Sequence, residues 1–282
     1  MPETIPTSLR VAVAQSTVRV DPTDVDGLRA SAAEVRGLMK EAAHNGARLV
    51  HFTEGALCFP SKVIMSELGP DEIGPSDWSK ASWSVLSEEL ERIAELSGEL
   101  GLWTVIPSVH RLPERARPHS SMYVVSDQGK IVARYDERML STTKVSWMYT
   151  AGDKPVTFEV DGYRFGLACG LDVLFAELFT EYDRLEVDGV LVSYASTGID
   201  DNKHVGVQAR GHAVNNTYWI SLAVPANPGA GLNAGISDPT GKWTTQGPAD
   251  SIPGIAITDL HQADVTQIGR AFRRNTRDRI NS

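Results

Sequence analysis

The stretch Gly162–Phe179, GYRFGLACGLDVLFAELF, decides the fold because it predicts a strand that turns sharply into a helix. The apolar run Phe165–Cys169, with glycine on both sides, is typical of a buried strand. Asp172 is a residue type that starts helices, and the residues after it are apolar at helical spacing. Enzymes often hold a nucleophile at such a turn. The sequence leaves open whether Cys169 or Gly170 lies at its tip.

The composition is that of a globular protein with a large core: of the 282 residues, 41% are hydrophobic and 22% are charged. No linker or internal repeat divides the chain, so we expect one domain over residues 1–282. The formal net charge of −9 argues against a general nucleic-acid binder and against a protein of anionic membranes. No apolar run reaches the roughly eighteen residues that a membrane span needs.

The number of cysteines indicates the redox state of the cellular compartment. Cys58 and Cys169 form no disulfide framework, which favours a reducing environment. The N-terminal segment Met1–Thr7 is polar and lacks the apolar core of a signal peptide. We therefore predict a cytoplasmic protein. The two cysteines and seven histidines show no close metal-ligand spacing, so we expect no metal site.

Helical and strand patterns alternate along the whole chain. Strands are predicted at Leu9–Val18, Arg48–Thr53, Leu102–Val109, Val190–Tyr194, Tyr218–Val224, Ile236–Gly247 and Gly254–Leu260, and helices at Val25–Asn45, Ser82–Glu99, Leu174–Glu186 and His204–Asn215. Two hairpins are predicted around residues 127–129 and 161–162, and a loop at Asp136–Lys144. Because several strand pairs are joined by hairpins, we expect an α/β protein with mixed sheets rather than purely parallel ones.

Five segments in this order resemble the nitrilase (carbon–nitrogen hydrolase) superfamily: VAVAQ at 11–15, LVHFTE at 49–54, GKIVARY at 129–135, the stretch 162–179, and ARGHAVNN at 209–216. The resemblance covers nearly the whole chain. It implies a four-layer αββα sandwich with two mixed β-sheets, which dimerises into a longer sandwich. It also implies an enzyme that needs no metal or organic cofactor, in which a Glu–Lys–Cys triad attacks the carbon of an amide or nitrile.

Two acids stand at positions of that triad. Glu54 matches the family's glutamate, because it directly follows a buried strand. Glu137 stands at the family's lysine position, since Tyr135 and Leu140 fix the register of the segment YDERML. A carboxylate there cannot supply the fixed positive charge that stabilises an oxyanion. The sequence leaves open whether Glu137 points into the pocket or turns outward into solvent.

The cysteine motif of the family aligns without a gap on Gly166–Glu177, which puts Gly170 at the nucleophile position and Asp172 on a matching aspartate. Placing Cys169 there needs a shift of one residue. Adjacent strand residues point to opposite faces, so we expect Cys169 to face away from the pocket as a small buried hydrophobe. With Gly170 in place, the covalent route lacks its thiolate.

Further positions bear on substrate binding. The family's second glutamate aligns with Val145, beside Lys144, a loop lysine that we expect in solvent unless it leans into the pocket. Asn215 falls on the family's Glu-Asn pair and is a candidate to hydrogen-bond Glu54, although it is no base. The backbone N–H of Gly170, at a helix start and close to Asp172, is a candidate anion-binding group.

Three functions remain open from the sequence. The favoured one is a repurposed small-molecule enzyme, in which Glu54 and Glu137 share a proton and do acid–base chemistry without a covalent thiol intermediate. The second is a catalytically inactive pseudoenzyme that binds a ligand or a partner protein. The third is an ordinary amide or nitrile hydrolase with a displaced triad of Glu54, Lys144 and Cys169.

The tail, residues 264–282, is rich in arginine. Because the rest of the chain is acidic, we expect this tail to pack on the protein's own acidic surface or on a partner subunit rather than on nucleic acid. Together with the dimer that the resemblance implies, the expected partners are a small molecule and a second copy of the chain, with no nucleic acid and no membrane.

Overall fold

The computed structural model describes residues 7–69, 71–113, 117–195, 203–226, 231–249, 252–265 and 267–281. The predicted polar N-terminus lies outside these residues, apart from Thr7. The described strands are β1 Ser8–Gln15, β2 Leu49–His51, β3 Trp103–His110, β4 His119–Val125, β5 Ile131–Asp136, β6 Thr157–Val160, β7 Tyr163–Cys169, β8 Gly189–Ser193, β9 Trp219–Ala223, β10 Gly235–Ser237, β11 Trp243–Gln246 and β12 Gly254–His261. The described α-helices are α1 Val25–His44, α2 Trp83–Leu100, α3 Ala176–Arg184, α4 Lys203–Asn216 and α5 Gln267–Asn281.

The strands form two six-stranded sheets. The first has the order β12-β1-β2-β3-β4-β5, and the second the order β11-β10-β9-β8-β7-β6. Each sheet has a parallel centre, β1-β2-β3 in the first and β7-β8-β9 in the second, with antiparallel strands beside it. Both sheets are therefore mixed, as predicted. The carboxyl ends of β2 and β7 hold Glu54 and Cys169.

The two sheets face each other, and helices cover their outer faces. Helices α1 and α2 bury apolar side chains against the first sheet, among them Leu28, Met39 and Ile93. The second core cluster joins residues of both sheets with Phe179 of α3 and Ala209 of α4. This is the predicted four-layer αββα arrangement.

Local sequence signals explain where the first two helices begin and end. The Asp24 carboxylate accepts the backbone N–H of Gly27 at 3.0 Å and starts α1. Gly101 ends α2 in the left-handed conformation, with φ of 60°. Only glycine takes that conformation without strain, so the residue after the helix is fixed by backbone geometry.

Apart from shifts of a few residues at the ends of elements, the structure differs from the predicted elements in two places. Ile236–Gly247 was predicted as one strand, but β10 and β11 are separated by a turn in which the Asp238 carboxylate accepts the backbone N–H groups of Thr240 and Lys242 at 2.8 and 3.1 Å. The predicted loop before Lys144 continues into a π-helical turn, Lys144–Met148.

The basic tail contacts its own chain. Arg274 and Arg277 of α5 form ion pairs with Asp183 of α3 at 3.3 and 2.8 Å. The Arg270 guanidinium donates to the backbone carbonyl of Thr217 at 3.1 Å. Contact of this tail with a partner subunit stays a prediction. None of the helices in the described ranges is both long enough and apolar enough to cross a membrane.

Candidate active site

The turn after β7 has Gly170 at its tip. The backbone of Gly170 has φ of +56° and opens a 3₁₀ turn that runs to Leu174. A side chain is strained in this conformation, which is why glycine suits it. A Cβ atom added at Gly170 would overlap the Glu137 carboxylate and lie 3.1 Å from Nζ of Lys144. Gly170 therefore faces a group of charged side chains directly.

Asp172 is buried and holds this turn in place. Its carboxylate accepts the Tyr135 hydroxyl at 2.6 Å and the backbone N–H groups of Cys169 and Met139 at 2.9 and 2.8 Å. Burial raises the pKa of Asp172, while these hydrogen bonds oppose that change. Asp172 thereby ties the turn to the segment after β5, which carries Glu137.

Lys144 lies buried between two carboxylates. Its Nζ donates to Oε1 of Glu54 at 2.7 Å and to Oε2 of Glu137 at 2.6 Å. The rings of Phe59 and Tyr149 stand 5.7 and 5.9 Å from the same nitrogen. One ammonium group therefore joins both acids within aromatic walls, where water does not weaken their attraction.

The second oxygen of each acid accepts a backbone N–H group. Oε2 of Glu54 accepts from Ala195 at 2.9 Å, just after β8. Oε1 of Glu137 accepts from Leu171 at 3.3 Å, just after the tip of the turn. Each carboxylate is therefore held in one orientation by hydrogen bonds to both of its oxygens. The charged groups link the ends of β2 and β5 to those of β7 and β8.

The thiol of Cys169 borders the same group. Its sulfur lies 3.9 Å from Oγ of Ser120. The sulfur and one carboxylate oxygen each of Glu54 and Glu137 all lie within 4.8 Å of one another. We call Glu54, Glu137, Lys144 and Cys169 the charged cluster. It brings two acids, a cation and a thiol into one buried site.

Burial controls protonation in the charged cluster. It raises the pKa of Glu137 to about 8, against the opposing charge of Lys144. Burial, together with the charges of Glu54 and Glu137, raises the pKa of Cys169 well above its ordinary value. Burial also opposes the charge of Lys144, but Glu137 and Glu54 together raise its pKa well above the usual range. Burial thus disfavours the ionised forms of Glu137 and of the Cys169 thiol, while the two acids favour the ammonium form of Lys144.

Two expectations about these residues are wrong, and one open alternative is excluded. Lys144 is buried rather than solvated, because two ion pairs offset the cost of removing its charge from water. The outward alternative for Glu137 fails too, since that residue is 0% exposed. The expectation that no lysine serves the site is therefore wrong as well: Lys144 supplies the cation from a position close to the family's second glutamate.

The expected orientation of Cys169 is also wrong. Phe165, Leu167 and Cys169 share the face of β7 that looks toward the first sheet, as strand alternation requires. However, Glu54 and Glu137 follow strands of that first sheet, so their carboxylates reach the same space. Cys169 and Gly170 therefore both border the charged groups.

Asn215 does not take part. It lies exposed on α4, because the helical turn directs its neighbour Asn216 inward instead. The Asn216 amide donates to the backbone carbonyl of His212 at 3.1 Å. Both oxygens of Glu54 have other partners, Lys144 and Ala195. The predicted hydrogen bond between Asn215 and Glu54 is not made.

Sequence reasoning missed several neighbours of the charged cluster. Nζ of Lys62 donates to Oγ1 of Thr143 at 2.5 Å, and burial followed by the charge of Lys144 lowers the pKa of Lys62. His51 bridges the sheets, with ring nitrogens 3.0 and 2.9 Å from the hydroxyls of Ser221 and Ser193. Burial lowers the pKa of His51 to about 3, so the ring is neutral. The apolar run around His51 was a sequence signal that this histidine is buried. Lys62 lies in an irregular loop, and no sequence pattern there indicated its position near the site.

Glu54, Glu137 and Cys169 are also close enough to hold a metal ion. The ammonium of Lys144 already lies 2.7 and 2.6 Å from the two acids. A metal cation between them would meet that positive charge at close range. The residues therefore fit a metal poorly.

Two facing mixed sheets under helices, with polar side chains at the strand ends, define an α/β protein of nitrilase-like fold. The sequence pattern of the family described as Carbon-nitrogen hydrolase matches residues 10–270. The chain belongs to the carbon–nitrogen hydrolase family, as the resemblance predicted.

Individual relatives are distant. Nitrilase homolog 2 of Dictyostelium discoideum is 24% identical over 234 residues, which are 79% of this chain, and the chain spans 65% of the length of that relative. A solved cysteine-to-alanine mutant of the Nesterenkonia AN1 amidase, from the nitrilase superfamily, has a TM-score of 0.74 at 21% identity, covering 96% of this chain and 98% of that one. The same type of mutant in complex with butyramide has a TM-score of 0.73 at 21% identity, with coverage of 96% and 98%. These two structures support the fold.

Proposed function

We propose that the protein hydrolyses the carbon–nitrogen bond of a small amide, with Cys169 as nucleophile, Glu54 as base and Lys144 as the stabilising cation. The observation that carries this proposal is the charged cluster itself. An ammonium lies 2.7 Å from one acid, and a thiol lies within 4.8 Å of the carboxylate oxygens. These are the groups that thiol-dependent acyl transfer needs. Membership of the carbon–nitrogen hydrolase family supports the same reaction class.

The reaction divides into two stages. As the sulfur of Cys169 bonds to the carbonyl carbon, its proton passes to Glu54, and Lys144 stabilises the negative oxygen that forms. The carbon–nitrogen bond then breaks, and Glu54 returns the proton to the departing nitrogen. Water attacks the resulting thioester, which releases a carboxylic acid and restores the thiol.

Protonation fits a base-assisted attack. Because burial and the nearby acids raise the pKa of Cys169, the resting thiol is neutral and must lose its proton during the reaction. Burial raises the pKa of Glu137 to about 8, so its protonated form is more accessible than that of an ordinary glutamate. A group placed against Gly170 would contact the Glu137 carboxyl group.

A second candidate is the acid–base enzyme without a covalent intermediate. The position of Gly170 at the tip of the turn favours it, because the residue that faces the charged cluster most directly carries no nucleophile. Glu137, with a pKa of about 8, and Glu54 would then act as acid and base on one substrate. The inactive scaffold is the remaining alternative.

The wild type and two variants separate these functions. Ammonia release from a series of short aliphatic amides is measured for the wild type, Cys169→Ala and Glu54→Gln. Amide hydrolysis through the thiol requires that both substitutions abolish turnover, by a factor of about 100 or more. Activity that survives Cys169→Ala but not Glu54→Gln contradicts the thiol route and supports the acid–base enzyme. A wild type that turns over no amide, yet is stabilised against heat by one of them, supports the scaffold.

Covalent labelling supplies a check that does not depend on turnover. Fluoroacetamide adds to the active-site cysteine in a Nesterenkonia AN1 amidase variant. If Cys169 is the nucleophile, fluoroacetamide labels it in the wild type and labels it more slowly in Glu54→Gln. Cys58 is the matched control, since it is also buried and burial raises its pKa. Equal labelling of Cys58 and Cys169 contradicts an activated thiol.

We also propose that a second copy of the chain is the protein partner. Helix α5 leaves Ile268 and Phe272 exposed by 87% and 70%, and Val207 of α4 is exposed by 59%. Exposed apolar residues of this size favour an interface. In sedimentation velocity we expect a dimer that dissociates in Phe272→Glu. A monomeric wild type at micromolar concentration contradicts the proposal.

A further inference from the structure

A cavity of about 650 Å³ lies outside the charged cluster, and none of the four cluster residues lines it. This volume is in the range of sites for small ligands. Trp78 and Trp83 form one part of the wall, with ring centroids 5.7 Å apart. Arg111 and Arg117 form another part. We infer that this cavity, here called the tryptophan pocket, binds a small planar carboxylate.

The guanidinium groups supply the charge recognition. Arg111 stacks 5.5 Å over the ring of Trp83, and among the described residues it has no hydrogen-bond acceptor or ion-pair partner. Arg117 donates through one nitrogen to the backbone carbonyl of Val145 at 2.6 Å, which leaves its other N–H groups for a ligand. Two guanidinium groups with unused donors suit a carboxylate, which accepts two parallel hydrogen bonds.

The acids in the wall do not cancel this preference. The Asp77 carboxylate accepts the backbone N–H and the hydroxyl of Ser79, at 3.0 and 2.5 Å, and pairs with Lys80 at 3.7 Å. Glu67 is exposed at the rim. Trp78 and Trp83 also give the pocket an apolar aromatic wall, against which a planar ring packs. Ring and carboxylate together define the ligand class.

The tryptophan pocket also holds the segment that carries Lys144. Nε1 of Trp78 donates to the carbonyl of Met148 at 2.9 Å, and the backbone N–H of Ser76 donates to that of Trp147 at 3.2 Å. Together with the Arg117 bond to Val145, these contacts show that three residues of the pocket wall bind the π-helical turn Lys144–Met148. A π-turn is a rare conformation that is frequent at functional sites. A ligand that fixes these wall residues therefore stabilises the turn that positions Lys144.

Benzoate is the test ligand. Benzamide is the probe that lacks its charge, and acetate is the probe that lacks its ring. Binding to the full-length protein is measured by calorimetry and by quenching of tryptophan fluorescence. We expect saturable binding of benzoate, and weaker binding of both other probes by about tenfold or more. Arg111→Gln should weaken benzoate binding by about tenfold or more, whereas the matched control Arg29→Gln, on the exposed face of α1, should not.

Hydrogen exchange tests the link to Lys144. With benzoate bound, the backbone amides of residues 145–149 should exchange more slowly in the wild type. In Arg111→Gln, benzoate should leave their exchange rates unchanged. The inference is overturned if benzoate does not bind saturably, if benzamide binds equally well, or if Arg111→Gln and Arg29→Gln behave alike. These readouts do not involve amide turnover, so they stand or fall separately from the proposed function.

Discussion

Substituting Gly170 by alanine tests whether the Glu137 carboxylate occupies the space in front of Gly170. The added Cβ would take a left-handed backbone at φ of +56°, which costs about 1 kcal/mol for an L-residue. It would also overlap the Glu137 carboxylate. Displacing that carboxylate weakens its hydrogen bonds to Leu171 at 3.3 Å and to Lys144 at 2.6 Å. Weakening buried charged hydrogen bonds adds about 2–3 kcal/mol.

Gly101→Ala is the matched control for backbone strain. Gly101 has φ of +60°, and an added Cβ there would meet no atom within 4 Å. With about 2 °C of melting temperature per kcal/mol for a chain of this size, we expect a loss of about 6–8 °C for Gly170→Ala and about 2 °C for Gly101→Ala. Thermal unfolding followed by circular dichroism measures both.

A double-mutant cycle isolates the overlap from the strain. In a Glu137→Ala background the carboxylate is gone, so Gly170→Ala should cost only the backbone strain of about 1 kcal/mol. The expected coupling energy is therefore about 2–3 kcal/mol. Equal losses for Gly170→Ala and Gly101→Ala, or a coupling energy near zero, would show that Glu137 does not occupy the space in front of Gly170.

Three further outcomes follow from the same contacts. Lys144→Met leaves two buried carboxylates without their cation and should lower the free energy of unfolding by about 3–5 kcal/mol in urea titration, against about 0.5 kcal/mol or less for the exposed Lys154→Met. Glu137 has a folded pKa of about 8 against 4.5 for the free group, so its contribution to stability is complete below pH 4.5 and is lost as pH rises through 8. The wild type should therefore lose stability relative to Glu137→Gln between pH 5.5 and pH 8, by about 1.4 kcal/mol per pH unit at most, and parallel stability curves of the two proteins would refute this. Asp172→Asn replaces one of the two accepting oxygens by an NH2 donor that faces buried N–H or O–H groups, and it should cost about 1–3 kcal/mol. The exposed Asp153→Asn should cost little, and similar losses in both would contradict a buried anchor.

The sequence predicted the mixed sheets because the signals for them are local, whereas the four layers were implied by the family resemblance. Apolar spacing, the turn residues at 127–129 and the glycine after α2 each act within a few positions. The gapless alignment also located the turn after β7 and its glycine correctly. Glu54 lies in the charged cluster, and the local signal for it was its position directly after a buried strand.

The rest of the site depends on contacts between distant segments. Lys144 is buried only because Glu54, 90 positions away, and Glu137 neutralise it there. A lysine in an irregular segment shows no periodic pattern, so nothing local distinguishes it from a solvated one. Strand alternation misplaced Cys169 relative to the charged groups, because β7 ends at Cys169 and Gly170, at φ of +56°, no longer alternates with it. The backbone donors of Ala195 and Leu171 have no signature in side-chain sequence at all.

The pairing of β1 with β12 has a consequence for synthesis. Arg10 and Asp259, which form an ion pair across these strands, are 249 positions apart. At about 5–20 residues per second, a ribosome needs roughly 10–50 s to make the chain between them. During that interval the apolar strand VAVAQ has one open edge, which invites pairing with other nascent chains. Production of this protein should therefore depend on chaperones that bind its first strand, and slower translation should increase the aggregated fraction.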